Sequence, residues 1–261
     1  RNLKEKLLAM PRKERKKFLL ELRAARKPHM EMGQEAKTLW EKIRSRKTPQ
    51  AEKDETIEKL IKLVKGHSKK LIYAHDTSRV FECLITLGRD DVHKMLYEEL
   101  MPEIVRMAKS KFARFFVSKM LKFGSKHERD TIISAFRGHC VSIFRITWGS
   151  DVLETAYNDY ANPQQRFDII SEFYGREFVM FRTEGVKTLQ QIVTAEPSKQ
   201  KLIAKHLEEI VMDIVEKNAI KHSLTHKLML DLMTIGDEEQ RDNLIDSIKD
   251  KIAEIVHTPE G

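Results

Sequence analysis

The histidines and paired acids are the candidates for catalytic or metal chemistry in this chain. His222 and His226 lie four residues apart, a spacing that on a helix can place two imidazoles on one metal ion. No third ligand is suggested nearby, so a structural or nucleic-acid-facing use of both is favoured. Acid pairs such as Glu98-Glu99 are typical of solvated helix faces. The sequence has no Gly-rich phosphate loop, no Gly-x-Ser-x-Gly and no Cys-x-x-Cys. We therefore expect no enzyme, no metal and no cofactor.

Lys and Arg are the second chemically suggestive group, because they attract polyanions. The net charge of +8 is uneven, since residues 1–50 hold 16 Lys and Arg against 6 Asp and Glu, while the other 211 residues hold 32 against 34. This pattern favours a polyanionic partner, although a solvated helix with a nuclear or nucleolar address also explains it. The candidate nucleic-acid-binding cations are Arg12, Lys13, Arg15, Lys16 and Lys17 in the basic segment, and Lys69, Lys70, Arg79, Lys109, Lys111, Arg114, Lys119, Lys122 and Lys126 beyond it.

A repeated helical unit must position these residues, because anchor positions recur at a step of 36 residues. The anchors are Arg79, Phe115, Asp151 and Lys187, and Lys227 follows after a step of 40. Mostly apolar pairs at +1, +2 and at +5, +6 from each anchor lie on one stripe of a helix. A second apolar column, seven to eight residues before each anchor, predicts a short preceding helix, and a third helical stretch follows. This period is typical of a solenoid.

The predicted fold is therefore all-α, a solenoid of three-helix units of about 36 residues. Residues 1–50 are interpreted as a basic N-terminal arm, which Leu39, Trp40 and Ile43 could pin to the first unit. Residues 51–65 are interpreted as a capping helix. Residues 66–261 then hold about five units and the start of a sixth, with units beginning near 66, 102, 138, 175 and 211.

Packing and helix ends can also be predicted from the columns. Met120, Leu153, Ile192 and Leu232 occupy apolar columns and should be buried. A glycine recurs at +9, where a left-handed residue would end the middle helix. These glycines are Gly88, Gly124 and Gly236.

Compartment signals are weak. Cys83 and Cys140 fall in different units and are expected to be small buried hydrophobic residues rather than a disulfide pair. No run approaches the roughly 18 apolar residues of a membrane helix, and no signal-peptide pattern is present. The chain begins at Arg1 and stops at Gly261 inside a unit, so a piece of a longer protein is expected.

Tandem three-helix units whose middle helix opens with a polar cluster resemble Pumilio (PUF) repeats. Five strings resemble the divergent Puf-A branch, also called pumilio homologue three: Leu39-Trp-Glu-Lys-Ile-Arg, Ala74-His-Asp-Thr-Ser-Arg-Val, Ala156-Tyr-Asn-Asp, Lys221-His-Ser-Leu-Thr-His-Lys and His257-Thr-Pro-Glu-Gly. This resemblance implies an L-shaped stack of about eleven repeats, of which this chain would be the N-terminal half. It also implies binding of single- or double-stranded RNA or DNA with little sequence preference, a nucleolar location and a role in ribosome biogenesis.

In Pumilio repeats, three middle-helix side chains read one base: two reach its edge and one stacks on it. Asp151 in a stacking slot offers no flat face, and neither Val186 nor Leu230 can complete an edge-reading pair. At most the first unit keeps a complete reader, so a base-by-base code is not expected. The resemblance maps the triads onto Ser78, Arg79, Glu82; Arg114, Phe115, Ser118; Ser150, Asp151, Glu154; Val186, Lys187, Gln190; and His226, Lys227, Leu230.

The predicted function is binding of RNA, with DNA as a further candidate, mainly through the phosphate backbone. The expected setting is the nucleus and nucleolus, in ribosome biogenesis, pre-rRNA processing and translation regulation. Pre-rRNA or mRNA and pre-ribosomal proteins are the expected partners of a monomer that binds no membrane. The alternative is a protein-binding solenoid scaffold of the HEAT or armadillo kind, whose period of about 40–47 residues fits less well. Units three to five, which have fewer cations and more acids, are expected to face proteins.

Overall fold

The structure, a computed structural model, describes residues 10–26, 29–176, 188–216 and 220–252, without the side chains of 20–26. Within these ranges the chain is helical and has no strand, which confirms the predicted all-α class. The helices are α1 (Arg12–Arg26), α2 (Met30–Arg44), α3 (Gln50–Val64), α4 (Ser68–Leu71), α5 (His75–Thr86), α6 (Asp90–Leu100), α7 (Ile104–Ala108), α8 (Arg114–Phe123), α9 (Lys126–Ala135), α10 (Cys140–Phe144), α11 (Thr147–Thr155), α12 (Pro163–Ser171), α13 (Leu189–Ala195), α14 (Gln200–Glu216), α15 (Ser223–Ile235) and α16 (Glu238–Ile248).

The middle helices stack in chain order through the first three units. Helix α2 packs on α5, α5 on α8, and α8 on α11. Arg79, Phe115 and Asp151 lie in α5, α8 and α11, as the 36-residue register predicts, and Lys227, which follows after a step of 40, lies in α15. The fourth anchor, Lys187, lies outside the described residues. Each middle helix follows a short helix, α4, α7 or α10, so that the three-helix unit is present in units one to three.

A repeated contact closes the first and third units. Gly66 and Gly138 both have φ of +79°, a left-handed conformation that favours glycine. Their N–H groups donate to Glu99 Oε1 and Glu172 Oε1, each at 2.6 Å, and Glu172 Oε2 also accepts from the N–H of Cys140 at 2.9 Å. Burial raises the pKa of the Glu172 carboxyl. A third-helix glutamate therefore holds the start of its own unit.

A continuous apolar core runs through the stack from Ala36 to Leu244. The four core predictions are confirmed, since Met120, Leu153, Ile192 and Leu232 are all buried. Helix α2, which falls in the predicted arm, lies against α3 and α5, with Trp40 and Ile43 buried. The boundary between arm and repeats stays a prediction.

The predicted helix ends need a correction. Gly88 is left-handed, with φ of +70°, but Gly124 and Gly236 are extended, with φ of −67°. The reason is that the next helix begins at once: Ser125 and Asp237 are N-caps, and both form capping boxes. Glycine suits this tight junction because a Cβ on Gly124 would lie 2.4 Å from the carbonyl oxygen of Met120.

The cysteines are free thiols, Cys140 buried and Cys83 half-buried. Burial raises the pKa of both thiols. In the described ranges, no helix combines the length and apolar character needed to cross a membrane.

Candidate nucleic-acid interface

The predicted cations occupy three places on units one and two and on helix α1. Arg12, Lys13, Lys16 and Lys17 are exposed on α1, whereas Arg15 is half-buried and donates to the carbonyl of Met10 at 3.2 Å. A second group, Lys69, Lys70, Lys109 and Lys111, lies on the short first helices and on the turns that lead into α5 and α8. The third group lies on the middle helices and on the start of α9: Arg79, Arg114, Lys119, Lys122 and Lys126.

Helix α8 displays aromatic rings between its cations. Phe115, Lys119 and Phe123 are spaced four residues apart and share one face of the helix. Phe115 is 42% exposed and Phe123 is 46% exposed. The Nζ atoms of Lys119 and Lys122 lie 5.4 and 5.7 Å from the Phe123 ring centroid. Alternating cations and exposed rings are the groups that hold single-stranded nucleic acid.

Glu82 lies among these cations on the neighbouring helix α5. It is half-buried, and burial raises the pKa of its carboxyl, while the nearby Lys119 and Arg79 charges lower it. Arg79 remains exposed. The face of α5 and α8 therefore carries one acid among several cations, and its net charge stays positive.

A groove of about 760 Å³ lies at the amino-terminal ends of α2 and α5. Lys69, Lys70 and Arg106 line it, together with the rings of His75 and Phe112. These two rings meet edge to face with centroids 5.0 Å apart. Arg106, in the short helix α7, was not among the sequence candidates, although it precedes the anchor Phe115 by nine residues, as the candidate Lys70 precedes Arg79.

Trp148 is the second residue that sequence reasoning missed. It is the second residue of α11, it is 37% exposed, and it lies three residues before the anchor Asp151. Lys111 Nζ and Arg114 Cζ lie 5.4 and 5.2 Å from its ring centroid. Neither Trp148 nor Phe123 belongs to an anchor triad, and for that reason the sequence analysis missed both. An exposed aromatic within one helical turn of the anchor is the signal that could have found Trp148.

Comparisons with known proteins agree with this geometry. No protein-family model matches the chain. "Pumilio domain-containing protein 12" of Caenorhabditis elegans is 53% identical over 261 residues, which is 100% of this chain and 34% of that protein. The crystal structure of human Puf-A has a TM-score of 0.78 and 32% identity, and the alignment covers 88% of this chain and 45% of that one. A crystal structure of human Puf-A in complex with DNA has a TM-score of 0.76 and 32% identity, over 88% of this chain and 46% of that one.

The chain belongs to the Pumilio repeat family, in its divergent Puf-A branch. It spans about a third of the length of the curated relative and under half of the Puf-A chain it matches. The predicted Pumilio-like solenoid is confirmed for the fold, in place of the alternative HEAT or armadillo repeat.

The serines at Pumilio edge-reading positions are turned inward. Ser78 is 3% exposed, and its hydroxyl donates to the carbonyl of His75 at 3.1 Å. Ser150 is 2% exposed and donates to the carbonyl of Thr147 at 3.0 Å. Neither hydroxyl is displayed to a ligand. The first unit therefore lacks the complete Pumilio reader that the sequence left open.

The two acids of the unit-three triad, Asp151 and Glu154, both bind other residues of this chain. Asp151 Oδ2 accepts from Arg114 Nη1 at 2.5 Å. Glu154 Oε1 accepts from the N–H of Ser223 at 2.8 Å and from its hydroxyl at 2.5 Å, and Glu154 Oε2 accepts from the N–H of Leu224 at 3.1 Å. A carboxylate at a helix N-terminus is stabilising, so Glu154 holds α15 of unit five against unit three.

His222, one of the two candidate metal ligands, also serves this contact. His222 is buried, its Nε2 lies 3.2 Å from Ser150 Oγ, and its ring meets Phe144 with centroids 5.8 Å apart. Burial lowers the pKa of His222, against the opposing effect of Glu154 and Asp151. Among the described residues, no group of three or more His, Cys, Asp or Glu is placed to hold a metal ion. His222 is therefore a packing residue between units three and five.

Proposed function

We propose that this chain binds RNA, and also DNA, mainly through phosphate contacts and with little sequence preference. One observation carries the proposal: exposed cations and rings cover units one and two, while the edge-reading serines are buried. Within 4 Å of Arg79, Lys111 and Lys122 there is no carboxylate among the described side chains, so their charges are available to a polyanion. Phosphate contacts position a nucleic acid but carry no sequence information.

The neighbouring solved structure supports the same activity. Human Puf-A has been crystallised in complex with DNA, and this chain shares its fold over most of the chain's length. Arg12, Lys13, Lys16 and Lys17 on α1 extend the cationic surface beyond the repeats.

We extend the proposal to a nucleolar role in ribosome biogenesis and pre-rRNA processing, with pre-rRNA or mRNA as ligand. The support is the resemblance to the Puf-A branch together with the basic segment at residues 1–50. A monomer with pre-ribosomal protein partners, and an influence on translation through ribosome supply, complete this expectation. Imaging of the tagged chain and sequencing of RNA crosslinked to it test these points. A cytoplasmic distribution without pre-rRNA crosslinks contradicts them.

The central test is the salt dependence of binding. Filter-binding constants for several unrelated RNA and DNA oligonucleotides are measured at salt concentrations from 50 to 300 mM, which is about the range over which counterion release is visible. A log–log slope near −0.7 per phosphate contacted on single strands is expected, with affinities that differ little between sequences. Strong discrimination between oligonucleotides with a shallow slope contradicts backbone binding. Absence of binding at every salt concentration contradicts the function as a whole.

A protein-contacting role for unit five is a second candidate. Leu230 occupies a triad position of α15, yet it is 60% exposed and cannot contact phosphate. Residues 138–252 hold 14 Lys and Arg against 19 Asp and Glu, which disfavours a polyanion there. Crosslinking from a photoreactive residue at 230 distinguishes the two roles: protein adducts support this candidate, and RNA adducts contradict it.

A further inference from the structure

The ring of Trp148 is exposed between two cations that belong to the preceding unit. We propose that Trp148, with Lys111 and Arg114, forms a stacking site for one unpaired nucleobase at the junction of units two and three. The inference rests on the proposed function and deepens it, because it adds a base contact that is independent of the Pumilio triads. Trp148 lies one turn before Asp151, so no triad contains it.

Exposure of this ring is the first argument. Trp148 shows 37% of its surface, whereas Trp40, the other tryptophan, is 9% exposed under the guanidinium of Arg44. Phe115 adds a second exposed ring nearby, with Arg114 Cζ 4.4 Å from its centroid and 5.2 Å from that of Trp148. Exposed aromatic rings beside cations are the groups on which the bases of single-stranded nucleic acids stack.

The charges around the ring point to a nucleic acid rather than to a peptide. Lys111 Nζ lies 5.4 Å from the Trp148 centroid and 5.6 Å from that of Phe112, and Lys111 is exposed. Arg114 is held in place by its ion pair with Asp151, so it shapes the site while its charge is largely compensated. Lys111 is therefore the cation whose charge is not compensated by a carboxylate, and it lies close enough to the ring to meet the phosphate of a base stacked there.

Replacement of Lys111 by a nucleobase on the Trp148 ring is expected to be favourable. An exposed cation–π pair is worth about two- to fivefold in equilibrium terms. A base stacked on an aromatic side chain is worth about 5- to 100-fold in affinity. A base that displaces Lys111 from the ring therefore gains more than the pair loses, and the released ammonium is free for the adjacent phosphate. A base inside a duplex cannot reach the ring, so the site selects unpaired nucleotides.

Tryptophan fluorescence tests the proposal directly, because the chain has 2 Trp and Trp40 is largely shielded. The 261-residue chain is titrated with a single-stranded RNA, with the same strand in a duplex, and with a DNA strand in which abasic sites replace the bases. We expect quenching that saturates with the single strand at the affinity found by filter binding. The duplex and the abasic strand should bind without quenching.

Substitution separates the ring from the charges. Trp148→Ala should weaken single-strand binding about 5- to 100-fold without changing the salt slope. Trp148→Phe should retain most of the affinity, and Leu230→Ala serves as the control of an exposed apolar residue outside the site. Circular dichroism checks that each variant folds. If Trp148→Ala does not fold, Trp148→Phe still tests the site, because it should bind single strands without the fluorescence quenching seen in the unaltered chain.

The outcomes separate the inference from the function it rests on. Tight single-strand binding by Trp148→Ala, or binding without quenching, overturns the stacking site and leaves backbone binding intact. Quenching by polyglutamate but not by RNA assigns the site to an acidic protein and also overturns the proposal. No binding of any nucleic acid by the unaltered chain removes both.

Discussion

Glu82 in unit one and Glu154 in unit three occupy the same position of the repeat, three residues after the anchor, and they do different work. Glu82 lies beside Arg79 and Lys119 on the ligand-accessible face of α5 and α8. The carboxylate of Glu154 accepts hydrogen bonds from the first N–H groups of α15 and so joins unit three to unit five. A polar residue at a given position of a repeat therefore either lies among cations on the repeat surface or binds a neighbouring repeat, according to what packs beside it.

Charge follows the same division. Residues 66–137 hold 14 Lys and Arg against 9 Asp and Glu, while residues 138–252 hold 14 against 19. In both regions most of the described cations are exposed, and the first region also contains ion pairs, such as Arg89 with Asp91 and Arg106 with Glu103. In the second region several are paired, as with Lys227 Nζ and Asp231 Oδ1 at 2.5 Å and Arg145 Nε and Asp213 Oδ2 at 3.3 Å. The excess of cations over acids in units one and two supports the proposed polyanionic ligand there, and the excess of acids in the later units disfavours one.

The largest expected effect is on the core at the junction of the two regions. Leu153 in α11 is fully buried, so Leu153→Ala should lower the free energy of unfolding by about 2–5 kcal/mol in urea denaturation. The exposed Leu230→Ala should change it by no more than about 0.5 kcal/mol. A loss under about half a kcal/mol for Leu153→Ala would mean that the assigned register is wrong.

The next largest effect is expected at Glu154, compared with its equivalent in unit one, Glu82. Glu154→Ala leaves the N–H groups of Ser223 and Leu224 without their acceptor and should cost about 1–3 kcal/mol of unfolding free energy. Glu82→Ala should change stability by about 0.5 kcal/mol or less, because it caps no helix. Urea denaturation of both variants decides the point, and equal losses would erase the distinction between the regions.

Exposed lysines test the difference in charge. Replacing Lys111 and Lys122 together by alanine should flatten the salt slope of RNA binding by about 1.4, at 0.7 per phosphate contact. The matched variant, Lys201 and Lys205 to alanine on α14, should leave the slope unchanged. Adding Arg114→Ala to the first pair tests whether this ion-paired side chain contributes the third contact. A slope that responds only to the α14 pair would place the ligand on the later units.

The ion pair between Arg114 and Asp151 links the two regions. Removing the negative charge of Asp151 should strengthen RNA binding. Asp151→Asn takes away one negative charge beside the face, which should tighten RNA binding roughly two- to fourfold, the size of one unit charge acting over about 6 Å in water. Asp159→Asn, an exposed acid of the same unit, is the control. Fluorescence anisotropy at low salt measures both, and a weaker Asp151→Asn complex would show that the pair preorganises the site.

The smallest expected effect belongs to Ser78. Since its hydroxyl donates to the carbonyl of His75, Ser78→Ala should change RNA affinity by less than about twofold for every sequence. Binding to oligonucleotides that differ at one base checks this expectation. A selective loss for one base would restore unit one as a reader.

Periodicity was enough to predict the helices and their core. The anchors Arg79, Phe115, Asp151 and Lys227 lie on middle helices, and Leu153 and Leu232 are buried, because apolar residues at fixed offsets from each anchor form one stripe along each middle helix. The helix ends at Gly124 and Gly236 were predicted wrongly, since the conformation of a glycine depends on where the next helix begins. Capping by Ser125 and Asp237 decided that.

The candidate site was predictable only in part. Lys and Arg types and their clustering in units one and two are properties of the sequence, but which of them carries an available charge depends on partners far along the chain. Arg114 is paired with a residue 37 positions later, and Glu154 caps a helix that starts 69 positions later.

The helices of each unit and their buried faces follow from the sequence. The apolar residues that define them recur in every unit, and those of one unit pack against the equivalent residues of the next. The exposure of Trp148, the inward turn of Ser78 and the capping role of Glu154 were decided by tertiary structure. Those outcomes depend on how one unit packs against another, because a side chain at the contact reaches either water or a neighbouring backbone group. The spacing of residues along the chain does not predict which of the two it reaches.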